Sequence, residues 1–532
     1  MSYVKTKVID GNKYEYKITS YRDKVTKKVK STSEYLGIRQ KDGSICKKKD
    51  LPKFKPEDKN KTTNTVNAMD YGHIYMLETF ARQSKLKESL EVIFGVEYAQ
   101  DILSLVFFSI IEAKALHLYA IWRESCECDF LSELSSQRIS ELLRMIAKNS
   151  RKIQDFFAFF AHANGPISGV WLDITSISSY SKNNSFLEYG YNRDQEAIPQ
   201  VNIGVLMSFP THLPILYEIY PGSLNDVSTL HNIVLKTGTL NIPINTWVMD
   251  RGFFSAANIN HMIKKGLNFI IGLPGQPKEY SRLIQTPMPF LADNVFKSGD
   301  KLFSFVEEKC NIGSHILRAV IYFQQHKYTT EYNALLTHVL MLEEQLMNAA
   351  ITSSEELELW LDNHHKFKNL AQCLLFNFIE NKIIIKRNQS HIMFLMNGKG
   401  KFILVSNSFT LTPQALLEQY KDKDRVEKIF HSLKNEIDSN RFKTHSSESM
   451  HGKMFINFSS LILRTFMLNK INAAKSNNIK EFAKIKQMTT QGILIDLRKI
   501  RRQLISDSSF IITEITARQR LLFKAFNVPL PS

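Results

Sequence analysis

The sequence predicts an α/β protein. A mixed sheet flanked by helices is interrupted by an inserted α+β segment and preceded by a small β-rich element and a helical region. Three observations predict this. Short apolar runs bounded by polar, Gly or Pro residues cluster between residues 170 and 273 and read as strands of one sheet. Apolar residues at 3.6-residue spacing dominate the flanking stretches. At 532 residues the chain is too long for one ordinary core, so several domains are expected.

The elements follow in order. Residues 1–66 form a basic element and linker: Tyr14, Tyr16 and Ile18, then Val25 and Val29, alternate as strands do, and residues 41–66 are rich in Lys, Asp and Asn. Residues 67–165 are helical, with Leu86, Leu90 and Phe94, then Leu142, Leu143 and Ile146, at helical spacing. The stretch from Ser136 to Leu142 fits a helix-turn-helix and equally a plain bundle. In residues 166–275, the runs Val170–Asp173, Val201–Phe209, Pro214–Ile219, Ile244–Met249 and Asn268–Leu273 read as strands, with helices at Asp226–Lys236 and Ser255–Lys264. Residues 276–400 mix strands (Ile316–Phe323, Lys382–Lys386) with helix (Leu342–Leu361). Residues 401–475 resume with a strand, Lys401–Ser406, and a helix from Thr412 to Ile437. Residues 476–532 read as helical, with a basic segment at Arg498–Arg502.

The formal net charge is +17 and the pI about 9.4. Residues 1–60 hold 17 Lys and Arg against 8 Asp and Glu, so over half of the excess lies in about a ninth of the chain. A phosphate-rich partner accounts for this best, since each neutralised phosphate releases counterions. Mean hydropathy of −0.21 fits a folded soluble protein. The best membrane candidate, Leu103–Trp122, is broken by Glu112, Lys114 and His117 and reads as a buried helix. The N-terminus lacks the apolar core of a signal peptide. Five scattered cysteines (Cys46, Cys126, Cys128, Cys310, Cys373) lack zinc-site spacing and read as reduced thiols in a cytoplasmic protein.

Three acids carry the chemistry. Asp173 and Asp250 each end an apolar run, which places them at a sheet rim where ligands bind. Glu427 lies along the later helix. Gathered together, three carboxylates repel unless a divalent cation neutralises them, and hard oxygen donors favour Mg²⁺ or Mn²⁺. A pair of such ions activates water and stabilises the leaving oxygen in phosphodiester cleavage. Tyr420, Lys423, Glu427 and Lys434 share one face of a continuous helix. A carboxylate between two cations and a phenol suits a metal ligand with phosphate clamps on either side. The order strand–Asp, strands, strand–Asp, helix–Glu is the layout of an RNase H-like catalytic core.

The motif Tyr420-x2-Lys423-x3-Glu427-x6-Lys434 resembles the YREK signature of DDE transposases from bacterial insertion sequences, with Lys423 in place of Arg. Lys keeps the charge and loses the bidentate fork. Leu172-Asp173-Ile174-Thr175 and Met249-Asp250-Arg251-Gly252 match the family's other acidic motifs, and Tyr189-Gly190-Tyr191, Pro199–Val205 and Tyr220–Asp226 resemble family segments. The resemblance covers roughly residues 167–275 and 400–460. It implies catalytic and metal-binding roles for Asp173, Asp250 and Glu427, two Mg²⁺ ions, and DNA contacts by Tyr420, Lys423, Lys434 and Arg251. It further implies cut-and-paste transposition: cleavage at terminal inverted repeats, then strand transfer into target DNA, by a dimer, in the bacterial cytoplasm at the nucleoid. A repurposed DNA-binding relative and a structure-specific nuclease are the rival readings. Residues 276–400 fit the family's insertion. A Trp there stacks on a flipped base in some relatives, but Trp360 sits at helical spacing with Leu357 and Leu361, behind a Ser353/Glu356 capping box, and reads as packing. Asp226 and His431 each fit a place near the site or an ordinary structural one.

Overall fold

The computed structural model describes residues 2–9, 12–22, 28–39, 43–47, 68–126, 128–181, 184–191, 196–275, 277–288, 292–380, 382–437, 441–444, 446–476, 489–506 and 509–531. Val25 and the expected linker residues 48–66 lie outside these. The chain divides into two compact units, one of residues 1–67 with 505–508 and one of the remainder.

In the first unit β1 (Ser2–Ile9), β2 (Asn12–Arg22), β3 (Val29–Arg39) and β4 (Ile45–Cys46) pair in sequence order as an antiparallel sheet. Tyr16 and Tyr35 meet across it with ring centroids 5.4 Å apart. Glu15, fully buried, takes hydrogen bonds from Thr6 and Arg39.

The second unit starts with β5 (Ala68–Asp70) and six helices: α1 (Gly72–Gln83), α2 (Leu86–Phe94), α3 (Val96–Glu112), α4 (Tyr119–Arg123), α5 (Ser136–Lys148) and α6 (Ser150–Ala163). α3 is buried from Asp101 to Ile111, as an apolar stretch interrupted only by Ser104 and Ser109 after its first residue requires. No single helix among the described residues is long and apolar enough to cross a membrane.

Strands β6 (Gly169–Ser178), β7 (Gln200–Ser208) and β8 (Pro214–Pro221) form an antiparallel meander. α7 (Asp226–Thr239) leads to β9 (Thr246–Met249), parallel to β6, and α8 (Ala256–Lys264) leads to β10 (Asn268–Gly272), parallel to β9. After α9 (Lys278–Ile284) come β11 (Val295–Ser298), β12 (Lys301–Ile312) and β13 (His315–Phe323). α10 (Gln325–Asn348), α11 (Ser354–Asn363), α12 (His365–Lys368), the hairpin β14 (Leu374–Ile379) with β15 (Lys382–Arg387), and α13 (Gln389–Asn397) follow. β16 (Lys401–Ser406) then runs antiparallel to both β10 and β13. The result is one nine-stranded mixed sheet, ordered β11-β12-β13-β16-β10-β9-β6-β7-β8.

Residues 276–400 therefore divide in two. β11–β13 extend the main sheet, while α10–α13 and the β14–β15 hairpin surround a smaller cluster of their own, including Leu342, Leu346 and Phe367. Ser353 caps α11 as expected, and the Glu356 carboxylate accepts the backbone N–H of Thr352 at 2.8 Å with that of Ser353 also turned toward it. The helix expected over Leu342–Leu361 is two helices. Trp360 stacks on His364 at 4.0 Å and packs against the smaller cluster.

The chain ends with α14 (Pro413–Lys421), α15 (Asp424–His431), the 30-residue α16 (Ser447–Ser476), α17 (Thr490–Arg498), β17 (Arg501–Ser506), β18 (Ser509–Ile512) and α18 (Ala517–Ala525). Residues 476–532 are thus not helical throughout. Arg501 to Gln503 pair with β5, because the basic segment meets acids there: Arg498 binds Asp70 and Glu112, and Arg501 approaches Asp70. α16 is buried almost continuously from Met450 to Thr465 and packs against α5, α3 and β8, so it joins the helical region to the sheet in one core. A Cβ at Gly452 would stand 2.1 Å from the Leu143 carbonyl oxygen, so glycine permits α16 to touch the backbone of α5. Leu143, the residue after the helix-turn-helix candidate, gives its backbone to that packing.

Candidate active site

β6 and β9 are adjacent and parallel, with Leu172 registered to Met249. The next residues are Asp173 and Asp250, so the register sets the two acids side by side on the same face. β6 continues to Ser178, so Asp173 lies mid-strand and not at the strand's end as the apolar run suggested. It is β9 that stops, at Met249, and opens the rim. Asp173 is 4% exposed, and its Oδ1 accepts the N–H of Ile174 at 2.8 Å. Asp250 is half-exposed, and its Oδ1 accepts the N–H of Arg251 at 2.8 Å.

The motif helix differs from expectation. It is not continuous from Thr412 to Ile437. α14 ends at Lys421, a tight turn covers Asp422 and Lys423, α15 restarts at Asp424, and residues 432–436 wind as a π-helix. Regular spacing cannot carry one face across these breaks. Tertiary contacts do so instead. The Trp171 indole of β6 donates to the Gln419 carbonyl at 2.8 Å and pins the end of α14 over the acids. The Tyr420 hydroxyl donates to Asp250 Oδ1 at 3.1 Å. Gly272 makes room for it: a Cβ there would lie 2.9 Å from the phenol oxygen. The Lys423 ammonium lies 3.4 Å from Asp250 Oδ2 and 3.9 Å from Glu427 Oε1.

These contacts set the electrostatics. Burial pushes the Tyr420 phenol up, and the carboxylates of Asp250 and then Asp173 add to it. Burial alone would raise Asp250, but the Lys423 charge, the Arg251 N–H and the Tyr420 hydroxyl hold it below the usual carboxylate range. Lys423 is 6% exposed, so its charge is weakly screened.

The structure thus joins Asp173, Asp250, Tyr420, Lys423 and Glu427 in one neighbourhood. Among the described residues, no three His, Cys, Asp or Glu side chains are gathered closely enough to enclose an ion. Glu427 is exposed and touches Asp250 only through Lys423. The carboxylates of Asp250 and Glu427 repel, and Lys423 between them supplies the compensating cation. The donor chemistry fits a divalent ion: Asp173, Asp250 and Glu427 offer hard oxygens only, and a cation already sits between two of them.

The other named residues lie around this centre. Arg251 is exposed beside Asp250. Lys434 lies in the π-helix, where its charge helps hold Glu196 below the usual range, after hydrogen bonds from Arg441 and Ser178. Asn225 caps α7, so Asp226 is its first residue and not its cap, and Asp226 abuts Gly252 next to the site. His431 is exposed; Asp422 pairs with Arg425 at 3.3 Å, and Asp424 faces solvent. Sequence reasoning missed Trp171 and Gly272. Nothing local marks either one, since each acts on a residue more than 140 positions away.

No curated protein matches the sequence. Among solved structures, a cryo-EM structure of a piggyBac transposase synaptic complex with hairpin DNA is similar at 12% identity and a TM-score of 0.39, covering 75% of this chain and 70% of that one. The model of the transposase DDE domain family matches residues 164–463, more than half of the chain and a span within which Asp173, Asp250 and Glu427 fall, and the chain belongs to that family of DNA transposases.

Proposed function

We propose that the protein performs cut-and-paste DNA transposition of the insertion-sequence type carrying the YREK signature, cleaving at terminal inverted repeats and joining the freed 3′ ends to target DNA. The observation that carries this is the convergence on Asp250: Asp173 from the neighbouring strand, and Tyr420 and Lys423 from the motif helix. The strand order β8-β7-β6-β9-β10, a meander followed by two parallel strands, supports an RNase H-like core.

Asp173, Asp250 and Glu427 would hold two divalent ions, Mg²⁺ or Mn²⁺, whose chemistry is to activate the attacking oxygen and offset charge on the leaving one. The chain's own residues do the rest. Burial of Asp173 fixes one carboxylate in a rigid strand. Tyr420 and Lys423 orient Asp250 and keep it ionised. Glu427, on an exposed helix face, is free to turn toward the other two acids. Lys423, Lys434 and Arg251 supply positive charge to phosphates near the rim. The basic residues 1–60 and the helices before residue 165 bind the element ends, and a dimer brings two ends together.

Asp173→Ala and Glu427→Gln should each abolish Mg²⁺-dependent cleavage of inverted-repeat DNA while leaving DNA binding intact. Undiminished cleavage in either variant overturns the assignment. Strand transfer from a pre-cut end distinguishes a transposase from a structure-specific nuclease, which would lack it, and from a repurposed binding protein, which would also lack cleavage.

A further inference from the structure

Beyond the carboxylates, one cavity combines cations, hydroxyls and a buried guanidinium with one unpartnered nitrogen. It has a volume of about 170 Å³ and lies between α15 with its π-helix, α16 and the start of α17, lined by Lys428, His431, Ser432, Glu436, Arg464 and Thr490. Arg464 projects from the buried part of α16 and is 4% exposed. Its Nε donates to Glu436 Oε2 at 2.7 Å, and its Nη2 lies 2.6 Å from the same oxygen and 3.4 Å from the Thr490 hydroxyl. Its Nη1 is buried with no hydrogen-bond partner. A buried guanidinium N–H without an acceptor is costly, and Glu436 only partly offsets the burial, which leaves Arg464 below its ordinary value.

We propose that this cavity binds a phosphate group, that of a DNA strand leaving the catalytic rim. Lys428 and Arg464 provide positive charge, the latter shared with Glu436; the Thr490 hydroxyl, which accepts from Arg464, is left to donate, and the unpartnered Nη1 of Arg464 offers its N–H groups to phosphate oxygens. Its place follows from helix geometry. Lys428 adjoins Glu427, and His431 stands one turn beyond it, about 40° round the axis. A strand held at Glu427 therefore passes over the cavity mouth. The inference rests on the function proposed above for the Glu427 helix, and it adds a phosphate subsite made by residues other than Tyr420, Lys423, Glu427 and Lys434.

The test uses the full chain and a labelled linear duplex, with affinity followed by anisotropy across a salt series. Lys428→Gln should weaken binding several-fold and reduce the log K against log salt slope by about 0.9, the loss of one phosphate contact. Thr490→Val should weaken binding without changing the slope, a result that a merely solvated lysine nearby would not produce. Arg464→Lys, in protein with unchanged circular dichroism, should lose affinity as Lys428→Gln does. In a second arm, the ³¹P line of inorganic phosphate is recorded with each protein. Broadening by the wild type that Lys428→Gln removes, with duplex binding unchanged, assigns the site to free phosphate. Unchanged duplex binding and unchanged ³¹P lines in Lys428→Gln and Thr490→Val overturn the proposal. A wild type that fails to bind any duplex counts instead against the transposition reading, and the ³¹P arm still decides the subsite.

Discussion

Lys423 shows what a single side chain decides. It reaches back to Asp250 and Glu427 from a nearly buried position. Lys423→Met removes the counter-charge from a half-exposed carboxylate, between the limits for surface and buried pairs. A loss of about 1–2 kcal/mol is expected, read from the denaturant midpoint. Lys423→Arg should retain most of this stability. His73 is the second case. It is fully buried in α1, neither ring nitrogen has a hydrogen-bond partner, and burial, then the Arg498 charge, lower it to about 3. The unfolded chain therefore binds a proton below its ordinary value of 6.5 that the native state refuses, and stability falls as pH drops from 6.5 toward 3. At pH 5 this amounts to about 2 kcal/mol. His73→Leu should flatten that part of the stability profile in denaturant titrations run from pH 7 to pH 4. An unaltered slope would show that other groups dominate it.

Among the elements, α14 and α15 matter most. The sequence motif reads as one helix, but the break at Asp422–Lys423 lets Tyr420 and Lys423 meet the same acid. The π-helix at 432–436 is another departure that periodicity could not forecast, and such turns often accompany functional sites. Gly272→Ala adds a methyl group within 2.9 Å of the Tyr420 hydroxyl. Cleavage should drop by an order of magnitude or more, with the global unfolding midpoint little changed, because the phenol rather than the core must move. The α16–α5 crossing is less forgiving. Gly452→Val sets carbon against backbone at 2.1 Å, so the helices must separate. A cost of at least about 1–3 kcal/mol is expected from urea unfolding.

For the molecule as a whole, charge and core have separate homes. The positive excess is concentrated in residues 1–60, while one hydrophobic cluster runs from Tyr71 to Val528. Removing residues 1–60 should therefore leave the unfolding of the remainder nearly unchanged and make DNA affinity weaker and less salt-dependent, as measured by anisotropy. The sheet explains why residues 276–400 do not form a single inserted body. β13 pairs with β16 and the long β12 pairs with β13, so the shared ladder claims both. Only the later helices and the β14–β15 hairpin, which close their own cluster, remain apart.

By itself the sequence determined the strands between Val170 and Leu273, the helices between them and the buried nature of α3, and it singled out the three acids as candidates. Each of these is written in local terms: apolar runs, periodicity, caps and short motifs. The tertiary structure alone decided that β9 ends beside Asp173, that Trp171 and Gly272 seat Tyr420 over Asp250, that Lys423 stands between two carboxylates, and that Arg464 faces a polar cavity. Those relations join positions scores to hundreds of residues apart. They arise when strand register and helix packing are satisfied together, and no window of sequence contains both partners.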